Sequence, residues 1–251
     1  MPYEPHDLFD PPPDEARIWR YLDFTKFVSL IDTATLHFTR ADHFDDAFEG
    51  SYPSENLARR SDPSWHSPIQ GRWAMAWIRY TFLNCWSLGD HESAAMWGLY
   101  LSTPEGIAVR SRFSRLVDAL EKTREDVHIG RVKYLDYQRE VFDEGNVMQP
   151  FLHKRLSFEH EHELRALIPK IDDYNTRSLG NQGRGEPPTE LLEGVYPEGV
   201  DVAVDLDALV EAVHISPIAP SWFADLVRSV IRRYDFDFTV TQSSLAGSPV
   251  Y

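Results

Sequence analysis

Two glutamates and an arginine in the second half of the chain have the types and the spacing that a chemical site needs. Glu161, Glu163 and Arg165 recur at every second residue of the stretch 161–168. Alternate residues of a strand point to the same side, so a strand here would put all three charges on one face. A carboxylate held on a strand can stabilise a developing oxocarbenium ion or bind a ribose hydroxyl, and an arginine can grip a phosphate. The alternative interpretation is a solvated outer face.

Four residues in the first half of the chain can bind an anion or a ring. Arg20 can bind an anionic group, and the ring of Tyr21 can stack on a base or on nicotinamide. Trp97 and Tyr100 lie about one turn apart in a predicted helix and offer two more rings. Taken separately, each of these side chains is more typical of packing or of the surface, because aromatic residues at helical spacing usually belong to a core.

A third candidate is the acidic loop that contains Asp45, Asp46 and Glu49. Three carboxylates so close in sequence can hold a divalent metal ion, as in a metal-dependent nuclease. Their structural interpretation is helix capping and turn formation. His160 and His162 are not interpreted as metal ligands, because on a strand they would face away from the glutamates beside them.

Composition narrows the class of protein. The chain of 251 residues carries 40 Asp and Glu against 25 Lys and Arg, which gives a formal net charge of −15. Coating of nucleic acid and binding to an anionic membrane are therefore disfavoured, because a surface that tracks phosphates needs an excess of basic residues. The sequence contains no Gly-rich phosphate loop, no metal-spaced histidine cluster and no Gly-x-Ser-x-Gly elbow.

The cellular location is predicted from cysteine usage and hydropathy. Cys85 is the only cysteine, so no disulfide can form within the chain, and its apolar neighbours indicate a packing residue and not a nucleophile. No segment reaches the ~18 apolar residues that a membrane span requires. The first residues lack the charged-then-apolar layout of a secretion signal. We expect a cytoplasmic protein with no membrane association.

Residues 82–113 form the predicted centre of the fold, with a strand, a helix and a second strand in succession. The helix is capped by Asp90 or Ser93, and we expect its apolar face to lie on the sheet. That face contains Ala95, Met96, Leu99 and Tyr100. In the second strand, alternation puts Arg110 and Arg112 on the face opposite Val109.

The remaining patterns predict an α+β domain with a central, mostly antiparallel sheet flanked by helices. Further strands are predicted at 18–22, 35–39, 127–135, 161–168, 202–206, 212–216 and 236–241. Further helices are predicted from residues 25, 114 and 207 onward and at 55–60, 73–80, 151–155 and 222–234. The proline-rich residues 1–17 are predicted to be a flexible leader outside the core, 18–244 a single globular domain and 245–251 a frayed tail. Loops are predicted at 50–68 and 172–192.

Several of these motifs occur together, in an order that resembles bacterial domain-of-unknown-function family 2971 from about residue 18 to residue 244. The motifs are Trp19-Arg20-Tyr21, the loop Phe44 to Glu49, Cys85-Trp86-Ser87, Met96-Trp97 with Tyr100 and Gly106, Lys154 followed by Glu161-x-Glu163-x-Arg165, and Val213-His214-Ile215-Ser216-Pro217. Two departures are Asp45-Asp46-Ala47, where the family has Asn-Asp-Pro, and Phe158, where it has tryptophan. The layout is similar to that of ADP-ribosyltransferases, with an early arginine on a strand and a late Glu-x-Glu strand.

The resemblance implies an NAD-using ADP-ribosyltransferase-like enzyme, an effector in conflict with phage. Arg20 would grip the phosphate or ribose of NAD, and Tyr21 or Tyr100 would stack on it. Glu163 would be the catalytic carboxylate, with Glu161 beside it. Trp97 and Arg165 are the further predicted cofactor-binding residues. Two alternatives stay open: a non-catalytic module that binds a nucleotide or a protein through the same residues, and a metal-dependent nuclease.

Overall fold

The structure is a computed structural model that describes residues 3–62, 64, 71–101, 103–178, 187–193 and 196–247. Parts of the predicted loops at 50–68 and 172–192 and the end of the predicted tail lie outside the described residues. The strands are β1 (Arg17–Asp23), β2 (Thr35–Arg40), β3 (Thr81–Leu88), β4 (Gly106–Arg112), β5 (His128–Arg131), β6 (Lys133–Leu135), β7 (His153–Arg155), β8 (Glu163–Pro169), β9 (Gly199–Ala203), β10 (Ala212–Ile215) and β11 (Val240–Gln242).

Short helices connect and flank these strands. They are α1 (Phe24–Thr33), α2 (Ser54–Arg59), α3 (Arg72–Ile78), α4 (Ala94–Tyr100), α5 (Phe113–Ala119), α6 (Ile171–Arg177), α7 (Thr189–Glu193), α8 (Leu206–Leu209) and α9 (Phe223–Arg233). Asp23 caps the start of α1, because its carboxylate accepts a hydrogen bond from the Lys26 backbone N–H at 2.7 Å. Such a cap satisfies a helix N–H group that has no partner within the helix.

Nine strands form one large sheet in the order β11-β10-β4-β1-β3-β2-β9, with β8 paired to β3 and β5 paired to β8. Every pair in it is antiparallel except β10 with β11. The strands β6 and β7 form a separate parallel pair. The predicted fold class, an α+β domain with a mostly antiparallel sheet flanked by helices, is confirmed.

The two faces of the sheet are packed differently. One face carries the larger core, where α1, α5 and α9 bury a row of apolar residues that includes Phe27, Leu116 and Val227. The other face carries two smaller clusters, one around Trp77 and one around Trp97. The alternation predicted for the late strand is confirmed, because its apolar residues reach the larger core. These residues are Leu164, Ala166 and Ile168.

The sheet forks at β3. One edge of β3 pairs with β8 along its length, from Thr81 to Ser87. On the other edge, β1 pairs only near the end of β3, where Trp19 lies opposite Ser87. The strand β2 pairs only near its start, where Thr39 lies opposite Leu83. Among the strands that the structure describes, none pairs with residues 84–86 on this edge, and a gap opens between β1 and β2.

Three predicted elements differ from the structure around the candidate site. The strand predicted over 161–168 begins only at Glu163, because Leu156–Glu161 form a 3-10 helix that ends at His162 with a φ of 43°. The strand predicted over 127–135 is two strands, since β5 pairs with β8 and β6 pairs with β7. The helix predicted over 151–155 is a 3-10 turn followed by β7, which places Lys154 on a strand.

The prediction that residues 1–17 contribute nothing to the core is wrong for Phe9, which is buried against the cluster around Trp77. Backbone hydrogen bonds hold the segment along β5, with Glu4 N–H donating to Val127 O and Arg131 N–H donating to Asp10 O. The proline-rich composition favours an extended chain, and here that extended chain lies against the edge of the domain.

The loop prediction over 172–192 is also wrong where the structure describes it, since α6 and α7 lie within or overlap that range. The last strand is shorter than the alternation predicted. Phe236 and Phe238 precede β11 and stack on each other, with ring centroids 4.7 Å apart.

Candidate ligand-binding cleft

A cleft of about 470 Å³ opens at the fork of the sheet. This volume lies within the range of small-molecule pockets, ~300–1,000 Å³. Its walls come from β1, α1, β2, β3, α4 and the 3-10 helix that precedes β8. Among its lining side chains are Arg20, Tyr21, Cys85, Tyr100, Glu161 and Glu163.

The fork therefore brings together five of the seven side chains that the sequence singled out. Arg20 and Tyr21 come from β1, Tyr100 from the end of α4, and Glu161 and Glu163 from either side of His162. The sequence separates the first and the last of them by more than half of the chain. Trp97 and Arg165 are not among the lining residues.

Arg20 is a half-buried cation, and its hydrogen bond goes to a backbone oxygen. Its Nη1 donates a hydrogen bond of 3.0 Å to the backbone oxygen of Cys85, on the part of β3 that no strand covers. Its guanidinium lies 5.9 Å from the ring of Trp86. No carboxylate of the described residues pairs with it, and burial lowers its pKa. A guanidinium in this state favours an anionic ligand, because its remaining N–H donors and its charge are otherwise uncompensated.

The opposite wall holds a chain of alternating charges. Lys154 Nζ lies 2.6 Å from Glu161 Oε2 and 3.1 Å from Glu163 Oε2. Arg165 Nε lies 2.7 Å from Glu163 Oε1, and the two terminal nitrogens of Arg165 lie 2.7 and 2.9 Å from the oxygens of Glu49. We call these five residues the ionic ladder. It contains three carboxylates and two cations, so its net charge is negative when all of them are ionised.

The ladder keeps Glu163 ionised despite its burial. Burial by itself would raise the pKa of this carboxyl group, but the charge of Arg165 and then that of Lys154 outweigh it and lower the pKa to about 2. Burial likewise opposes the charge on Lys154, but Glu163 and Glu161 raise the pKa of its ammonium. Both groups therefore carry their charge at neutral pH.

The two tyrosines of the cleft are both protonated at neutral pH. Tyr100 is 48% exposed at the mouth, and partial burial, followed by the negative charges of Glu161 and Glu163, raises its pKa. The Tyr21 oxygen accepts a hydrogen bond from the backbone N–H of Ser93 at 2.7 Å, and burial raises its pKa to about 12. Tyr100 thus has a free face and a hydroxyl donor at the mouth.

The predicted binding role of Trp97 is not supported by its position. The indole is buried, packs edge-on against Tyr21 at 5.0 Å and donates a hydrogen bond to Glu92 at 2.9 Å. The predicted buried face of α4 is also wrong. Met96 and Trp97 are buried, while Leu99 and Tyr100 are exposed, because the indole fills the space above Tyr21 and so sets the rotation of this short helix.

The predicted contact between Arg165 and a cofactor is likewise not supported, because its side chain is fully buried behind the cleft. Its guanidinium donates to Glu49, to Glu163 and to the backbone oxygen of Phe151. These bonds leave it directed at the protein and not at a ligand. Arg165 instead holds Glu163 and the acidic loop in place.

Lys154 and Glu49 belong to the ionic ladder, but the residue patterns did not predict either of them as part of this site. Lys154 entered only through the family resemblance, and Glu49 was interpreted as a metal ligand or a turn residue. A lysine seven residues before a Glu-x-Glu-x-Arg stretch is the available signal, but only the intervening 3-10 helix shows that its ammonium reaches both glutamates.

Cys85 lies at the floor of the cleft, where burial and then the charge of Glu163 raise its pKa well above the usual value. A thiol in this state is protonated and poorly nucleophilic. Its position beside the ladder agrees with packing and hydrogen bonding to Glu163.

The acidic loop does not form a metal centre with its own carboxylates. Asp46 pairs with Arg155 at 2.7 Å, and Glu49 pairs with the deeper Arg165. Within the part of the chain that the structure describes, no group of three side chains has metal-ligand geometry. Two of the three carboxylates that motivated the nuclease alternative, those of Asp46 and Glu49, are therefore engaged by arginines, and that alternative gains no support here.

No known protein family, curated protein or solved structure matches this chain. The resemblance to family 2971 and to ADP-ribosyltransferases therefore stays a prediction. None of the helices in the described ranges is long and apolar enough to cross a membrane.

Proposed function

We propose that the cleft binds NAD and that the protein is an ADP-ribosyltransferase-like enzyme. One observation carries this proposal: Arg20, a cation with no ionic partner among the described residues, lines the same cleft as the carboxylates of Glu161 and Glu163. The two sides of the cleft are complementary to a ligand that has an anionic part and a part that becomes positively charged. NAD has both, in its diphosphate and at its nicotinamide ribose.

The proposed roles follow from the position of each side chain. Arg20 binds the diphosphate, because a guanidinium can donate two hydrogen bonds to one phosphate. Tyr100 covers the nicotinamide ring with its free face. Glu161 and Glu163 stabilise the positive charge that develops on the ribose. Glu161 makes the closer contact, because Lys154 bonds only its Oε2, whereas cations hold both oxygens of Glu163.

The proposed transfer needs NAD and an acceptor nucleophile or water, and no oxidant or reductant. The bond between the ribose carbon and the nicotinamide nitrogen breaks, and its electron pair leaves with neutral nicotinamide. An acceptor nucleophile, or water in its absence, forms the new bond to that carbon and gives up a proton. The acceptor is not specified by the residues of the cleft.

The second candidate function is a non-catalytic module that binds a nucleotide. The pairing of both Glu163 oxygens with cations favours this non-catalytic module. Two bound cations weaken the negative field that the carboxylate can apply to a ribose. Binding of NAD without any release of nicotinamide would select this alternative.

The test is calorimetric NAD binding together with nicotinamide release, measured on the wild type and on Arg20→Gln, Glu161→Gln and Glu163→Gln. We expect Arg20→Gln to lower NAD affinity by ~10- to 100-fold, since a charge-assisted hydrogen bond to an anion contributes ~1.5–3 kcal/mol. Glu161→Gln should keep the affinity and reduce turnover by ~100-fold or more, the typical cost of one electrostatic group in a transition state.

Matched controls are Arg228→Gln and Glu125→Gln, whose side chains form ion pairs and do not line the cleft. Both should bind and release as the wild type does. The proposal is wrong if NAD does not bind to the wild type, or if Arg20→Gln binds it as tightly as Arg228→Gln does.

A further inference from the structure

A single ammonium group joins the two carboxylates of the cleft. Lys154 Nζ donates to Glu161 Oε2 and to Glu163 Oε2, at 2.6 and 3.1 Å. The side chains of Lys154, Glu161 and Glu163 are 9%, 12% and 4% exposed. Both oxygens lie within one hydrogen-bond length of the same nitrogen, so the two carboxylates are close neighbours in a poorly solvated place.

Two carboxylates in such a position repel each other. Without a cation between them, one of the two takes up a proton at a pH where an isolated carboxyl group is ionised. Arg165 bonds Glu163 but has no bond to Glu161, so it cannot replace Lys154 between them. Within the described residues, Lys154 is the cation that serves both.

The charged and titratable groups that face this ammonium come from every element packed around it. Beyond the two glutamates they are Cys85 from β3, Tyr100 from α4, Tyr134 from β6 and Arg165 from β8. Glu49 lies behind Arg165, and Arg155 follows Lys154 in the sequence. The tyrosines and the cysteine are neutral, because burial raises the pKa of each. They supply no positive charge to compensate for the loss of Lys154.

We propose that Lys154 is the positioning residue of the cleft, which holds Glu161 and Glu163 side by side and keeps both as carboxylates facing the ligand. The catalytic consequence rests on the proposed function, whereas the pairing itself does not. Lys154 acts through the two glutamates and needs no contact with substrate.

The backbone around both glutamates is held by contacts that do not involve the ammonium. The Glu163 N–H donates to the Tyr134 hydroxyl oxygen at 2.8 Å, and the Ser87 hydroxyl donates to the Glu161 backbone oxygen at 2.8 Å. The strand that carries Lys154 is paired to β6. Replacing the ammonium should therefore release the two side chains and leave the backbone in place.

The enzymatic test compares Lys154→Met, Lys154→Gln and Lys154→Arg with the wild type in nicotinamide release across pH 5 to 9. Loss of the ammonium should reduce kcat by ~100-fold at acidic pH, as expected when reacting groups lose their alignment. The loss should shrink as pH rises and the second carboxyl group ionises. KM for NAD should change little, because Arg20 is untouched, and Lys154→Arg should recover most of the rate.

The control is Lys170→Met, which removes a partly buried ammonium paired with Glu125 outside the cleft. It should keep the pH profile of the wild type. If Lys154→Met does not fold, Lys154→Gln carries the same readouts. The proposal is overturned if the pH profiles of the folded Lys154 variants and the wild type have the same shape.

A second measurement needs no NAD. With ¹³C-labelled glutamate carboxyl groups, NMR titration should show one carboxyl of the pair protonating at a higher pH in Lys154→Met than in the wild type. Glu161→Gln and Glu163→Gln assign the two signals. A raised titration in Lys154→Met, together with a wild type that never releases nicotinamide, would uphold the positioning role and reject the proposed enzyme. Unchanged titration in an enzyme that does turn over would do the reverse.

Discussion

The two walls of the cleft differ in how their charges are compensated. On the ladder side, every charged group from Glu161 to Glu49 has a partner of opposite sign within hydrogen-bond distance. On the β1 side, Arg20 has one backbone oxygen and no ionic partner in the described chain. The difference teaches that the charges of one wall are compensated by the protein itself, whereas the other wall keeps an uncompensated cation, to which we propose that an anion binds.

The strongest test of the difference between the two walls is to remove a paired cation. Arg165→Met leaves Glu49 and Glu163 buried together without the guanidinium between them. Breaking a buried ion pair from one side costs about 3–5 kcal/mol, so we expect a loss of that size in the free energy of unfolding, measured by denaturant titration.

The control for this variant is Arg228→Met, because Arg228 forms an exposed pair with Asp225. A surface pair contributes ~0–1 kcal/mol, so this change should barely move the denaturation midpoint. An Arg165 variant as stable as the Arg228 variant would show that the ladder contributes little to folding.

An effect of the next size is expected in acid. The folded pKa of Glu163 is depressed below its ordinary value of 4.5, to about 2, so its ion pairs stabilise the fold above the ordinary value and are lost as pH falls toward 2. The decrease in unfolding free energy between about pH 6 and pH 2 should be smaller in Glu163→Gln than in the wild type. The difference should be on the order of 3 kcal/mol. Parallel pH dependences would contradict an ionised Glu163.

The smallest effect is expected at the unpaired cation. Arg20→Met removes one hydrogen bond to a backbone oxygen and relieves the cost of holding a half-buried charge. These contributions oppose each other, so the unfolding free energy should stay within about 1 kcal/mol of the wild type. A loss as large as that of Arg165→Met would make Arg20 a structural residue and remove the contrast between the walls.

Local patterns predicted much of the fold, because they depend on neighbours in sequence. The strand predicted at 18–22 contains Arg20, as the structure has it, and the helix predicted from residue 25 onward is α1, which buries Phe27, Leu30 and Ile31. The fork could not be predicted, because it depends on how other strands pair with β3. The strand β8 takes one edge of β3, β1 and β2 share the other, and only the folded pairing shows where these two leave it.

The errors in the site have a common physical cause. Trp97 and Arg165 have side chains suited to a ligand, but the space around each is filled by the protein, and the sequence does not show that space. Glu161 was predicted on a strand and lies on a 3-10 helix, but it still reaches the cleft because Lys154 draws its carboxylate to that of Glu163. Charge pairing, not alternation, sets its position.

The uncovered edge of β3 would make hydrogen exchange in this strand sensitive to a ligand in the cleft. At its centre, a guanidinium holds the Cys85 carbonyl where a neighbouring strand would, and the Asn84 side chain reaches across to the backbone oxygen of His37 at 2.8 Å. If the proposed anion draws Arg20 away from that carbonyl, we expect the surrounding amides to exchange at a different rate with deuterated solvent. The proposed binding and the local stability of β3 would then be linked through one side chain.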